Sequence, residues 1–305
     1  DRDCEISTAL ITPEAWSELF APFSPLPRRD RLLIAGKSSD RRRDLEELSE
    51  LLLPGRFQQH LACTHGPDEP ARVLVLPTQA LWYLPYAALI VENKPLAYWA
   101  ASSLAPSLSA LPDSPYVPAS HHGVLAYLDP GLKDKVPFNQ TLLGRLFGPC
   151  HIATTPEQLR AALREADSYR LAVITAHGVL QSGLAHALRL TDGTDLITAG
   201  DLLASRLPPH LTLCACESLG RADDECPDPI SLATVAFTRG CQSITASLWL
   251  IPASRTTSRF QEQFYTHLAQ CSAAEALRRA QMDLMASHPD ADLWEWAGHA
   301  AIGIP

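Results

Sequence analysis

The chain has 305 residues, 46% hydrophobic and 19% charged, with a formal net charge of −9, enough apolar material for a sizeable core in one large α/β domain or two smaller ones. That balance argues against a nucleic-acid-binding surface, because the single basic run, Arg41-Arg42-Arg43, is followed by Asp44, Glu46 and Glu47 and reads as a solvated helix start. No window reaches the roughly 18 apolar residues of a membrane span, and Asp1-Arg2-Asp3 is not the start of a signal peptide, so a cytoplasmic location is expected, with no membrane partner. The absence of an initiating Met suggests an excised C-terminal piece of something longer.

Residues 1–69 carry helical signals: Thr12-Pro13-Glu14 reads as a cap and first turn, and Asp44 to Leu53 as an amphipathic run ended by Pro54-Gly55. Between them Arg31 to Ala35 reads as a short strand. Gly36-Lys37-Ser38 fails as a phosphate loop because Arg31 stands where that motif needs Gly. His60, Cys63 and His65 read as loop residues. Ala71 to Leu76 predicts a strand, Leu81 to Leu89 a packed turn, Ala97 to Ala101 a further strand, and the stretch with Pro112, Pro115 and Pro118 a linker. His122 to Leu128 predicts a strand and Pro156 to Ala166 a helix capped at Thr155.

Two apolar, β-branched runs follow, Tyr169 to Gly178 and Leu211 to Cys216, each ending on a reactive side chain, His177 and Cys216. A polar loop over 181–193 and a helix over Thr198 to Ser205 separate them. Beyond Cys216 come an acidic loop (Asp223, Asp224, Glu225, Asp228), a helix over Ser231 to Arg239, a strand over Ser243 to Trp249, and helices over Phe260 to Leu268 and Ala273 to Ala286. Strands alternating with helices imply parallel βαβ units.

In parallel sheets chemistry collects at the carboxyl ends of the strands, so neighbouring strands ending in His177 and Cys216 place imidazole beside thiol. Taken singly, either residue is more often part of the core; the paired placement is what points to a dyad. A thiolate nucleophile needs an adjacent base and donors for the developing oxyanion. The Gly178 amide, unhindered by a side chain, and the Cys216 amide are the natural donors. A GxSxG elbow, an HExxH helix and a Gly-rich dinucleotide fingerprint are all absent from the sequence. The eight cysteines (Cys4, Cys63, Cys150, Cys214, Cys216, Cys226, Cys241, Cys271) lack the spacing of a secreted disulfide framework and read as reduced thiols. Cys214, Cys216 and Cys226 with His210 nearby contain no CxxC pair, so no zinc site is expected.

Thr175-Ala176-His177-Gly178, then Cys214-Ala215-Cys216-Glu217-Ser218, then Gly240 through Ala246-Ser247-Leu248-Trp249, in that order, resemble CHAT domains, caspase-like peptidases of the separase and gingipain clan. Phe264-Tyr265, Glu275-Ala276-Leu277-Arg278, Trp296-Ala297 to Ile302-Gly303, Leu84-Pro85-Tyr86 and Pro106-Ser107-Leu108-Ser109 extend the resemblance over residues 70–305. It implies an α/β, caspase-like three-layer sandwich with a mostly parallel central sheet flanked by helices. Residues 1–69 would then be a helical or linker segment of a larger upstream region. It further implies a cysteine endopeptidase with His177 as general base and Cys216, not Cys214, as nucleophile, using no metal or cofactor. The expected partners are a protein substrate and an upstream sensor domain or activating complex, in a regulated bacterial system of defence type, with no nucleic acid bound directly.

Substrate would add as a strand beside Ser247, Leu248 and Trp249. Asp223, Asp224, Glu225 and Asp228 either line a specificity pocket or are simply solvated. Leu250-Ile251-Pro252-Ala253-Ser254 lacks the acidic residue that often follows the Leu-Trp pair in the family, so the clan's preference for basic P1 residues is not carried over. The competing class is a catalytically silent caspase-like scaffold that binds a partner peptide by strand addition.

Overall fold

The computed structural model describes residues 41–111, 122–129, 140–179, 183–190, 195–216, 218–219, 230–249, 251 and 254–305. Two small sheets, a hairpin of β2 (Ile90–Val91) and β3 (Lys94–Pro95) and a three-stranded sheet of β8 (His177–Val179), β9 (Ala187–Arg189) and β10 (Leu196–Thr198), stand apart from a larger one. The apolar runs form that eight-stranded sheet, built from β1 (Ala71–Val75), β4 (Ala100–Leu104), β5 (Val124–Leu128), β6 (Cys150–Ala153), β7 (Leu171–Thr175), β11 (His210–Cys214), β12 (Ser243–Ser247) and β13 (His299–Gly303). Their order is β1-β4-β13-β12-β11-β7-β5-β6. Every pairing is parallel except β12 with β13. The chain leaves β5 for β6 on one side and returns to β7 on the other, so the order reverses between β5 and β7. In open α/β sheets that reversal opens a crevice at the carboxyl ends of the strands.

β5 and β7 are buried along nearly their whole length, as expected of central parallel strands covered on both faces. β11 is more instructive. Leu211 and Leu213 on one face join the apolar core. The alternating residues His210, Thr212 and Cys214 share the other face with the Arg255–Leu268 helix, where Phe264 lies 6.4 Å from the His210 ring and the Tyr265 hydroxyl lies 3.5 Å from the Cys214 sulfur. His210 bonds Ser243 Oγ through Nδ1 at 2.6 Å and Thr212 Oγ1 through Nε2 at 3.2 Å, so one face of this strand is a continuous polar ladder.

Several helices start where a hydroxyl or carboxylate captures an orphan amide: Thr155 at Gln158, Ser254 at Thr257, Ser272 at Glu275, and reciprocal capping boxes at Thr198–Asp201, Ser231–Thr234 and Asp292–Glu295. The Ser254 cap starts its helix at Arg255, five residues earlier than apolar periodicity predicts, because the first turn, Arg255-Thr256-Thr257, is polar. His60 and Cys63 lie on the Gly55–Thr64 helix rather than in a loop, with Pro54 at its N-cap. Leu45, Leu48, Leu53 and Leu61 of the first two described helices belong to the same core as the sheet.

The strand expected over Ala97 to Ala101 is a helical turn, Leu96–Trp99, followed by β4; Pro95 sets the turn's start, and the Trp99 indole donates to the Val91 carbonyl at 3.0 Å. Leu81 to Leu89 is a packed double 3₁₀ turn with Leu84 and Leu89 wholly buried. Arg278, 4% exposed, ties this region to the last long helix by donating to Glu275, the Ala97 carbonyl and the Pro67 carbonyl. Among the described residues no helix is long and apolar enough to cross a membrane.

Three buried histidines give the fold a pH dependence. Burial lowers His210 to about 3, and His186 and His299 to about 4. Their folded values lie below the unfolded one, so between about pH 6.5 and 4 the unfolded chain binds more protons and stability rises with pH. The neutral form's contribution is fully present above about pH 6.5 and is lost as pH falls toward 4. The urea midpoint is expected to drop through that window, and replacing His210 with Gln should flatten the drop. A midpoint independent of pH from 7 to 4.5 would contradict this account.

Candidate active site

β7 ends at Thr175, and His177 does not prolong it. Instead His177 begins β8 (His177–Val179), which pairs antiparallel with β9 (Ala187–Arg189), itself paired with β10 (Leu196–Thr198). The stretch expected as one polar loop over 181–193 therefore contains a strand, too short at three residues to show a period of two. β11 likewise stops at Cys214. Cys216 stands two residues further on, in a turn closed by the Ser218 amide on the Ala215 carbonyl at 3.3 Å.

The main chain on either side of the two residues nonetheless comes together. β7 and β11 are in register up to Thr175 opposite Cys214, and the Ala176 amide donates to the Cys214 carbonyl at 3.4 Å. Gly178 then lies directly on the main chain of Cys216: a Cβ there would overlap the Cys216 carbonyl oxygen and come within 2.9 Å of its carbonyl carbon. The His-Gly pair is thus a steric requirement, since no other residue lets the chain after His177 pass so close to Cys216.

His177 is exposed and Cys216 half-buried. The Cys216 thiol donates to the Ile251 carbonyl at 3.7 Å. Cys214 sits in a different environment, beneath Tyr265 and next to Thr175. Burial pushes its thiol pKa up, and hydrogen bonds from Tyr265 and Thr175 only partly oppose this, so at neutral pH it stays protonated and a poor nucleophile. Cys216 is the cysteine at the open carboxyl edge.

Ser247 and Leu248 are each 2% exposed, so only their main chain can meet a peptide. Trp249 is half-buried, its indole held by the Tyr83 carbonyl at 3.2 Å. Asp223, Asp224, Glu225 and Asp228 lie outside the described residues, as do Gln181 and Glu217. Among the described residues no cluster of three His, Cys, Asp or Glu is placed to hold a metal ion.

Three neighbours were not singled out from sequence. Asp129, 1% exposed, follows β5 at the point where the strand order reverses, and its amide donates to the Thr175 carbonyl at 2.9 Å. Its sequence signal was an acidic residue placed directly after an apolar run. Arg189 is the cross-strand partner of His177, so its cationic side chain shares a face of the small sheet with the imidazole. His186, wholly buried, accepts the Leu232 amide through Nδ1 at 3.3 Å and the Ala199 amide through its carbonyl at 2.8 Å. It braces the β8–β9 hairpin against two helix starts, and no local pattern marked it.

The CHAT domain family profile matches residues 42–304. None of the curated proteins matches the sequence significantly. Among solved structures, the fold is similar to a chain of the Saccharomyces cerevisiae separase–securin complex, at 11% identity and TM-score 0.50, over 76% of this chain and 16% of that one. It is also similar to the Arg-specific cysteine proteinase gingipain R, at 12% identity and TM-score 0.53, over 83% of this chain and 69% of that one. A complex of Porphyromonas gingivalis RgpB pro- and mature domains matches at 12% identity and TM-score 0.52, over 83% and 69%. This chain therefore spans 16% of the length of the separase chain, and at such identities the likeness is one of caspase-like fold.

Proposed function

Since the chain belongs to the CHAT domain family, we propose that it is a cysteine endopeptidase in which His177 takes the proton of Cys216 and the thiolate attacks a peptide carbonyl of a protein substrate. The imidazolium protonates the leaving amine as the C–N bond breaks to give the acyl-enzyme; His177 then takes a proton from the water that hydrolyses the thioester and returns it to the departing Cys216 thiolate. The amides of Gly178 and Cys216 are the proposed oxyanion donors. The observation that supports this reading is the contact of Gly178, the residue after His177, with the Cys216 main chain, at the carboxyl edge of a caspase-like sheet.

Substrate is expected to lie along the continuation of β12. The Leu248 amide is spent on the Gly298 carbonyl at 2.9 Å, so the main chain of Trp249, just beyond the end of β12, is the proposed partner of the peptide. Residues 1–69 are proposed as a helical or linker segment leading in from a larger upstream region, its described part packed on the domain core and inside the family match; the activating partner and the defence-type setting are proposed from the family resemblance.

A peptide acyloxymethyl ketone tests the reading: it should modify Cys216 in the wild type and leave it unmodified in His177→Ala. Modification that does not depend on His177 would favour the silent scaffold, which has one observation on its side, the bond that keeps the Cys216 proton shared with Ile251. A peptide library varied at P1 then addresses specificity. If one of Asp129, Asp223, Asp224, Glu225 or Asp228 pairs with a basic P1 side chain, its replacement by Asn or Gln should weaken cleavage after Arg and Lys about tenfold or more. An unchanged profile in all five would leave an apolar P1 site.

A further inference from the structure

Ser218 lies two residues past Cys216 and has no part in the chemistry above, yet it is 0% exposed. Its surroundings follow from how the sheet ends. β11 and β12 stay in register only from His210 opposite Ser243 to Thr212 opposite Thr245. β12 runs on to Ser247, which is paired on its far side with His299 of β13. Because the Leu248 amide points to that β13 side, the amide and carbonyl of Ser247 point to the β11 side, where the ladder has run out. A buried main-chain donor left there without a partner would be costly.

The Cys216 turn fills the gap. Ser218 Oγ accepts the Ser247 amide at 2.9 Å and donates to the Leu213 carbonyl at 3.3 Å. The Leu219 amide donates to the Ser247 carbonyl at 3.1 Å, and the Ser218 amide closes the turn that holds Cys216. A single hydroxyl thus joins the nucleophile's turn to the strand that precedes it and to the strand expected to receive substrate.

We propose that Ser218 is a positioning residue, fixing the Cys216 thiol relative to both His177 and the end of β12 so that nucleophile and substrate strand form one rigid unit. This rests on the peptidase reading above. Without the hydroxyl the Ser247 amide is orphaned and the turn loses its side-chain tie to the Leu213 carbonyl. A displacement of about 1 Å is enough to spoil a reactive geometry.

The test is the pH profile of Cys216 alkylation by iodoacetamide, followed by mass spectrometry on the intact domain. Exposed Cys63 serves as internal reference, and protection of buried Cys241 reports that the fold is intact. In the wild type, alkylation of Cys216 should depend on His177. Ser218→Ala should slow it roughly tenfold at neutral pH and move its profile toward that of Cys63, and Ser218→Thr, which retains the hydroxyl, should restore it. A profile that moves in His177→Ala and not in Ser218→Ala overturns the proposal while the dyad stands. A profile indifferent to His177 overturns the dyad, and the proposal with it. Should Ser218→Ala expose Cys241, amide exchange in the wild type decides: slow exchange at Ser247 supports the proposal, and exchange as fast as in exposed loops overturns it.

Discussion

Cys216→Ala and His177→Ala are each expected to abolish peptide cleavage, with losses on the order of 10⁴-fold or more, while Cys214→Ala stays within about tenfold of the wild type. The two cysteines stand two positions apart in sequence, and their environments separate them. Cys214 closes a buried polar ladder, where desolvation favours the protonated thiol and Tyr265 and Thr175 hold it in place. Both cysteines are half-buried, and what disfavours Cys214 as a nucleophile is the desolvation that keeps its thiol protonated. Cys216, in the turn beyond the strand, lies against the main chain of the residue that follows His177. Thermal melts of all three variants should stay near the wild type, since neither dyad residue belongs to the buried core. Measured with a peptide library as substrate, full activity in Cys216→Ala, or an inactive Cys214→Ala that melts normally, would reverse the assignment.

Gly178→Ala is expected to be nearly as damaging, although the substitution adds only a methyl group and leaves the proposed oxyanion amide in place. The added methyl would occupy the space of the Cys216 carbonyl oxygen. Relief requires moving either the β8–β9 hairpin or the Cys216 turn, and neither is free. The hairpin is braced through His186 on Leu232 and Ala199, and the turn is tied to Leu213 and Ser247 through Ser218. Forcing a methyl into such a contact is an overpacking change. A shift of about 1 Å between base and nucleophile costs on the order of 10²-fold in rate. The expected result is a kcat at least about a hundredfold lower with a modest loss of melting temperature. A Gly178→Ala variant that cleaves at the wild-type rate would show that the chain relaxes here without moving the dyad, and that this contact does not set the geometry.

The parts of this architecture that were legible in sequence are those in which a residue's neighbours along the chain decide its state. β5 and β7 declared themselves because central strands of a parallel sheet need apolar residues on both faces, and β11 through Leu211 and Leu213 although its other face is polar. Thr155, Thr198 and Ser231 marked helix starts because a cap bonds an amide only three residues away. His177 and Cys216 were legible as chemistry because each ended such a run. Three-residue β9 and four-residue β6 escaped, being too short for any period to emerge. The polar first turn before Phe260 hid the true start of its helix.

By itself, then, the amino-acid sequence determined the strand-forming runs, the caps, and a His and a Cys that each close an apolar run. The tertiary structure decided that both lie just past the ends of their strands, which thiol is raised by burial, and how closely the two chain segments approach. Those outcomes depend on partners remote in the chain: Tyr265, 51 residues from Cys214; Tyr83, 166 residues from Trp249; and Ser247, 29 residues from Ser218. No window of sequence contains both members of such a pair. Burial, hydrogen-bond satisfaction and steric room at the site arise only once the sheet has brought them together.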